Sequence, residues 1–227
     1  VGCLPLLNRN IKRVLVFDIG GGSTQISLAR VTDFGKTFIE GFVSLPYGVV
    51  TVSEAFAGHE MSTMEYSTVV DRTQNILAEF EEKHHINEAI ANQEVQVIGT
   101  SGTVTVIGAV HLKLPRYNRS AVDGIAISAP EVAATVNKIK MMGAEGRCKH
   151  PCIGQSKSDL TLAGCAIIEA LTTFWPISEI TVADRGIREG ILLDLMHSKK
   201  KEFVKKRSTR FPFDRRGRNG RSKRNKT

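Results

Sequence analysis

The chain has 227 residues, enough for one large domain or two small ones, and its hydrophobic fraction of 41% is sufficient for a folded core. No stretch approaches the ~18 consecutive apolar residues that a membrane-spanning helix needs. The segment Val1–Leu7 lacks the basic region and the cleavage site of a signal peptide. These features argue against a membrane protein, and the four cysteines suit reduced thiols in a cytoplasmic protein.

Positive charge is concentrated at the C-terminus. Residues 199–227 contain fourteen Lys and Arg but only two acidic residues, which gives this segment a net charge of +12. Because the whole chain carries +8, residues 1–198 carry −4. The segment 199–227 has too little apolar surface to fold by itself, so we expect a disordered basic tail.

The first predicted elements are three strands that form a meander. The strand patterns cover Arg13–Asp18, Thr24–Val31 and Lys36–Leu45. The elements predicted after them are, in chain order, a helix from Ser62 to about His85, a strand at Glu94–Ile98, an apolar helix through Val110, a helix from Ser128 through Lys140, a helix at Ser158–Phe174, a strand at Glu179–Val182 and a last helix that ends near Met196.

The first turn of the meander is the most informative segment of the chain. Asp18 ends a buried strand, and Gly20, Gly21 and Gly22 separate it from Ser23 and the second strand. Consecutive glycines let backbone N–H groups approach a small anion, and a carboxylate beside them can hold Mg²⁺. This order of residues therefore predicts a phosphate and metal site on a hairpin. The alternative is a glycine-rich β-turn in which Asp18 only bonds the N–H groups of the turn.

A second turn, Gly99–Thr103, also leads from a strand into the N-terminus of a helix. Helix N-termini favour anions because their first N–H groups have no partner within the helix. Ser and Thr are also ordinary N-cap residues, so this turn alone is weak evidence for an anion site. Cys148 and Cys152 suggest zinc, but the sequence offers no second pair of ligands at a suitable spacing.

Three segments together resemble the exopolyphosphatase and guanosine pentaphosphate phosphatase family. They are Val16–Thr24, Gly99–Thr103 and Ala183–Gly190, and Ser44–Gly48 and Ser158–Gly164 support them. The resemblance implies the α/β fold of actin and sugar kinases, in which two ribonuclease H-like domains enclose a phosphate site. Each such domain has a mixed sheet flanked by helices. The chain matches only the second domain, over roughly residues 10–198, so we expect a domain at 1–198 followed by the tail at 199–227.

The resemblance also implies roles for individual residues. Asp18 would hold Mg²⁺, and Arg188 would contact an anion from the last helix. The phosphate-binding backbone would come from Gly20, Gly21, Gly22 and Ser23, with Gly102 and Thr103 binding the next phosphate. The alternative for both Arg185 and Arg188 is an ion pair with Asp184 or Glu189, and of the two arginines Arg188 is the preferred candidate for the anion contact. Gln25 stands where the family has a glutamate, which removes one negative charge from the expected metal site.

The chain begins at Val1, and we expect it to be a piece of a longer protein. In the family, the glutamate that activates the attacking water belongs to the first domain, so we expect this chain alone to be inactive. The implied activity is hydrolysis of terminal phosphate from polyphosphate or guanosine pentaphosphate.

Two other functions stay open at this point. One is a polyanion-binding or regulatory module in which the basic tail makes a weak contact with nucleic acid, and the other is an ATP-dependent kinase of the same superfold. A homodimer is the expected assembly if the chain self-associates.

Overall fold

The computed structural model describes most of the chain up to the end of the last strand. The described residues are 2–8, 10–32, 36–56 and 60–186. Arg188, Glu189, the predicted last helix and the basic tail 199–227 therefore lie outside the described residues.

Six strands form one mixed sheet. They are β1 (Arg13–Ile19), β2 (Thr24–Val31), β3 (Thr37–Leu45), β4 (Val95–Thr100), β5 (Ala126–Ser128) and β6 (Glu179–Ala183). The strand order is β3-β2-β1-β4-β6-β5. The first three strands are antiparallel neighbours, as the predicted meander requires, whereas β1 with β4 and β4 with β6 are parallel pairs. Parallel pairs need crossover connections, and the helices between these strands provide them.

Eight α-helices connect or cover the strands in the described residues. They are α1 (Val49–Ala55), α2 (Thr63–His84), α3 (Ile86–Ala91), α4 (Gly102–His111), α5 (Arg119–Val122), α6 (Ala129–Met141), α7 (Gly143–Lys149) and α8 (Ser158–Phe174). The capping box that the sequence predicts before α2 is present, because Ser62 Oγ accepts from the Glu65 N–H and the Glu65 carboxylate accepts from the Ser62 N–H. Ser128 and Glu131 form the same kind of box before α6. Each helix predicted within the described residues begins and ends within two residues of its expected bounds.

The main hydrophobic core lies between one face of the sheet and the helices. Leu15, Phe17, Ile26 and Leu28 project from β1 and β2 into this core, and all four are nearly inaccessible to solvent. A smaller cluster with Val14, Ala29, Ile98 and Ala183 lies on the opposite face. Side chains of a strand alternate between faces, so β1 and β2 contribute to both clusters. Among the described residues, no helix is both long and apolar enough to cross a membrane.

Candidate phosphate-binding site

Polar residues of neighbouring strands line up at one end of the sheet. Asp18 on β1 pairs with Gln25 on β2 and with Thr100 on β4, and Gln25 pairs in turn with Ser44 on β3. Directly paired residues project to the same face of a sheet. Gln25 is exposed, and the alternate residues Ile26 and Leu28 are buried on the other face. The structure thus brings Asp18, Gln25 and Thr100 together.

The glycine turn offers backbone donors just beyond Asp18. The Gly20 N–H closes the turn by donating to Ser23 O at 2.9 Å, so it is not available to a ligand. Among the described residues, no acceptor meets the N–H groups of Gly21, Gly22 and Ser23. Gly21 and Gly22 are exposed to solvent. Three of the four predicted donors of this turn are therefore free to bind an anion.

Helix α1 fixes the back of the glycine turn. The N–H groups of Val49 and Val50 donate to Gly20 O and Gly21 O, each at 2.9 Å, which satisfies two donors of the helix N-terminus. Gly48 packs so closely on the turn that a Cβ there would lie 2.1 Å from Gly20 O. Only glycine fits at this position, which explains why Ser44–Gly48 accompanies the glycine turn in the sequence.

The second turn brings the N-terminus of α4 next to Asp18. Ser101 has φ +100° and ψ 172°, a backbone conformation that is almost restricted to glycine. The Ser101 hydroxyl oxygen is buried and has no hydrogen-bond partner among the described residues. A Cβ at Gly102 would meet nothing within 4 Å, so this position is open. The side chain of Thr103 packs against Gly164 of α8, so only the Thr103 backbone N–H is placed to face a ligand.

A cleft of about 330 Å³ lies between these elements. Asp18, the Thr100–Gly102 turn and Thr105 line it, together with Tyr117 and Asp184. Three cationic side chains complete the lining: Arg119, Lys157 and Arg185. Lys157 is exposed and makes no ion pair within the described part of the chain. The cleft therefore combines one carboxylate at a strand end, a helix N-terminus and a cluster of positive charge.

Ion pairs hold two of the cations in place. The Arg185 guanidinium donates to Asp123, with Nε 2.9 Å from Oδ2, and its NH2 lies 2.8 Å from the same oxygen. Asp123 Oδ1 also accepts from the Asp184 N–H at 3.0 Å. Asp184 in turn accepts from Tyr117 and pairs with Arg119. Of the two alternatives for Arg185, the ion pair forms with Asp123 and not with Asp184, because the loop before β5 brings Asp123 to the guanidinium.

Burial alters the acidity of two groups that line the cleft. Desolvation raises the pKa of Asp18 above its ordinary value, and no hydrogen bond or ion pair to a described residue offsets this effect. Desolvation and the hydrogen bond to Asp184 raise the pKa of Tyr117 to about 12. The Tyr117 hydroxyl therefore keeps its proton at neutral pH. Asp18 is the carboxylate that would gain most from a nearby cation.

The residues around Asp18 fit Mg²⁺ only with help from other groups. The described residues contain no cluster of three or more His, Cys, Asp or Glu side chains that could hold a metal ion. Mg²⁺ commonly uses one or two carboxylates, with waters and substrate phosphates completing its shell. Asp18 can supply one carboxylate, and Gln25 beside it can bond a metal-bound water.

Sequence reasoning did not find every residue of the cleft. It did not single out three residues that line the cleft: Tyr117, Arg119 and Lys157. It also missed Asp123, which forms the ion pair with Arg185. None of them belongs to a glycine motif, although Lys157 directly precedes the Ser158–Gly164 segment. Arg188, the predicted anion contact, lies outside the described residues.

Comparisons with known proteins identify the family of the chain. The sequence profile of the Ppx/GppA phosphatase family matches residues 6–199. A bifunctional 3-dehydroquinate synthase/phosphatase of Fusobacterium nucleatum is 23% identical over 210 residues, which are 87% of this chain but 28% of that protein. The chain thus spans less than a third of this relative's length.

Two crystal structures show the same fold. The Ppx/GppA phosphatase of Aquifex aeolicus superimposes with a TM-score of 0.69 at 22% identity, covering 85% of this chain and 59% of that one. An exopolyphosphatase from Cytophaga hutchinsonii gives a TM-score of 0.67 at 16% identity, covering 86% and 63%. The predicted ribonuclease H-like fold of the actin and sugar-kinase superfold is confirmed. The chain belongs to the Ppx/GppA phosphatase family.

Proposed function

We propose that this chain forms the second half of a phosphoanhydride hydrolase, which releases terminal phosphate from polyphosphate or guanosine pentaphosphate. The observation that carries the proposal is the position of Asp18, between a turn with free N–H groups and a cleft lined by Arg119, Lys157 and Arg185. On this proposal residues 1–198 form the phosphatase domain and residues 199–227 a separate basic tail.

The backbone and the cations have complementary roles in this proposal. Phosphoryl transfer spreads negative charge over the oxygens of the transferred group, and catalysis consists largely of positioning and charge stabilisation. The free N–H groups of Gly21, Gly22 and Ser23 can bind one phosphate. The N-terminus of α4 and Lys157, which line the same cleft, can bind the next phosphate. A linear phosphate chain suits such a row of donors.

Asp18 and Gln25 are the residues that would hold a magnesium ion. When bound, Mg²⁺ would neutralise part of the charge on the phosphate oxygens. The Asp18 carboxylate would be the anionic ligand that this chain supplies to the ion. Burial raises the pKa of Asp18, and a nearby positive charge would favour its ionised form. Gln25, directly opposite, would orient a water but add no charge.

Activation of the attacking water requires a general base, and the described residues that line the cleft do not provide one. Asp184 is the other carboxylate that lines the cleft, and its oxygens are engaged by Tyr117 and Arg119. Asp18 is assigned to the metal. We therefore propose that the base comes from a first domain in the longer protein, and that this chain alone releases no phosphate at enzymatic rates of ~1 s⁻¹ or more.

The experiment compares phosphate release from polyphosphate by the longer protein and by its Asp18→Ala and Arg185→Ala variants. Asp18→Ala should abolish activity, whereas Arg185→Ala should reduce it less, because Arg185 is also bound to Asp123. A rate within about threefold of wild type for Asp18→Ala, equivalent to ~0.6 kcal/mol, would show that Asp18 is only a turn residue.

A second candidate function rests on the charge of the tail. With a net charge of +12, residues 199–227 would attract nucleic acid or polyphosphate without sequence preference and with strong salt dependence. Filter binding by an isolated 199–227 peptide, compared with phosphate release by the longer protein, distinguishes this function from catalysis. Tight binding by the peptide together with an inactive longer protein would favour the binding module.

A further inference from the structure

A buried arginine lies beside the start of α8. Arg147 on α7 is fully buried, although its guanidinium always carries a positive charge. Its Nη2 lies 2.7 Å from Glu60 Oε1, and its Nε donates to Ser158 O at 3.2 Å. Its third nitrogen, Nη1, is buried and has no hydrogen-bond partner among the described residues. The surroundings of Arg147 therefore satisfy this cation only in part.

Stability alone does not account for this arrangement. A buried ion pair offsets its lost hydration only when its polar groups are well satisfied, and an apolar side chain of similar volume is often at least as stable. Glu60 is 44% exposed, so its carboxylate would stay hydrated without Arg147. The buried guanidinium therefore points to a role in holding the backbone that it contacts.

That backbone carries one of the cations of the cleft. Ser158 begins α8 directly after Lys157, which lines the cleft. The Lys157 side chain makes no ion pair or hydrogen bond with a described residue, so its position depends on the backbone to which it is attached. Two contacts with α7 fix this backbone. Arg147 donates to the Ser158 carbonyl, and the Ser158 hydroxyl donates to Ala144 O at 3.3 Å.

The other partner of Arg147 belongs to the side of the cleft that carries the glycine turn. Glu60 lies in the connection between α1 and α2. The first N–H groups of α1 bind the carbonyl oxygens of Gly20 and Gly21, and α1 packs against α8. One guanidinium thus ties the segment that follows α1 to the residue that follows Lys157.

From these contacts we infer that Arg147 is a positioning residue, which holds Lys157 at the cleft for the binding of a phosphate group. The inference rests on the proposed function, which assigns Lys157 and the N-terminus of α4 to the second of two phosphates. Without the guanidinium, the Ser158 carbonyl loses a donor and its link to Glu60. The Lys157 ammonium would then sample other directions, and the bound phosphate would lose part of its charge stabilisation.

An NMR titration of the full chain with tripolyphosphate tests the inference. The amide signals of Gly102 and Thr103 report on the site beside Lys157 separately from the basic tail. In Arg147→Met, half-saturation of these signals should require about fivefold more tripolyphosphate than in the wild type. Lys157→Met should give a change of similar size. The double variant should bind no more weakly than Lys157→Met alone, because both substitutions remove the same contact.

Tyr66→Phe is the matched control for a general disturbance of α8. It removes the hydrogen bond of 2.6 Å from the Tyr66 hydroxyl to Glu169 Oε2, which lies in the last turns of α8. Glu169 keeps its ion pair with Lys140. Half-saturation at Gly102 and Thr103 should therefore be the same in this variant as in the wild type.

Arg147→Lys serves if the methionine variant does not fold. It keeps the buried charge, but its compact ammonium cannot span Glu60 and the Ser158 carbonyl as the planar guanidinium does. Half-saturation should rise in this variant too, again with no added effect in combination with Lys157→Met.

The outcomes separate this inference from the proposed function. If Lys157→Met weakens binding and the Arg147 variant does not, or if the two effects add, Arg147 does not act through Lys157 and only the inference is overturned. An equal loss in Tyr66→Phe would also overturn it, because any disturbance of α8 would then suffice. Gly102 and Thr103 signals that do not respond to tripolyphosphate in the wild type would overturn the inference together with the proposed phosphate site.

Discussion

Asp18 and Gln25 lie directly opposite each other on β1 and β2, and both project to the face of the sheet that borders the cleft. Asp18 is partly buried without a hydrogen-bond partner among the described residues, whereas Gln25 is exposed. A neutral amide therefore lies beside Asp18, the carboxylate that we propose to hold a metal ion.

Gln25→Glu should strengthen metal binding. A second carboxylate opposite Asp18 adds one negative charge to the site, so half-saturation in the longer protein should occur at a lower Mg²⁺ concentration. Activity at saturating Mg²⁺ should change less. Without Mg²⁺, two like charges directly opposite each other should lower the free energy of unfolding by about 0.2–1 kcal/mol. A Mg²⁺ titration of phosphate release and a urea titration measure the two effects.

Ser27→Glu is the matched control for this substitution. Ser27 lies on the same face of β2, two residues farther from Asp18. This variant should leave the Mg²⁺ half-saturation unchanged. The same shift in both variants would mean that general negative charge, and not the position beside Asp18, tightens metal binding.

Asp18→Asn should stabilise the chain at neutral pH. Burial raises the pKa of Asp18, so the folded state holds this proton more tightly than the unfolded state does. The free energy of unfolding of the wild type therefore falls as the pH rises through the raised pKa. The asparagine variant has no carboxyl group at this position, so its free energy of unfolding does not fall for this reason. Its advantage should vanish below the ordinary aspartate pKa of about 3.9. Urea midpoints at pH 7 and pH 3 measure this, with Asp71→Asn on the exposed side of α2 as control.

Much of this site was predictable from the sequence. The residues that could not be predicted share one feature, which is that they reach the site only through the tertiary fold. The glycine turn, Asp18 and the α4 N-terminus are local motifs in which neighbouring residues act together, so the sequence pattern contains them. Arg185 illustrates what a pattern does not contain. Its partner Asp123 is 62 residues away and meets it only because β5 pairs with β6. Tyr117 and Lys157 likewise reach the cleft through the crossover connections.

Gly48→Ala should destabilise the chain much more than Gly22→Ala. A Cβ at Gly48 would overlap the Gly20 carbonyl oxygen, which belongs to the backbone and cannot move without displacing the turn. We expect a loss of about 3 kcal/mol for Gly48→Ala. A Cβ at Gly22 would meet nothing within 4 Å, so that variant should stay within ~0.5 kcal/mol of wild type. Chemical denaturation of both variants checks the contrast, and equal stability would contradict the packing of α1 on the turn.

Ser101→Gly should stabilise the chain by about 1 kcal/mol. The strain of a non-glycine residue in this conformation costs ~1–3 kcal/mol, and glycine's greater freedom in the unfolded chain offsets part of the gain. Ser101→Ala removes the unpartnered hydroxyl but keeps the strained Cβ, so its gain should be smaller. Thermal melting curves of the wild type and the two variants measure the order of their stabilities. An alanine variant as stable as the glycine variant would assign the cost to the hydroxyl instead of the backbone.

The most direct test of the phosphate site is an NMR titration of the full 227-residue chain with tripolyphosphate, with and without Mg²⁺. The amide signals of Gly21, Gly22, Ser23, Gly102 and Thr103 should shift in a saturable way, whereas Gly143, which does not line the cleft, should not. Asp18→Ala should weaken the Mg²⁺-dependent part of the shift. Shifts confined to residues 199–227, with all five site amides unchanged at saturation, would contradict a phosphate site on the folded domain.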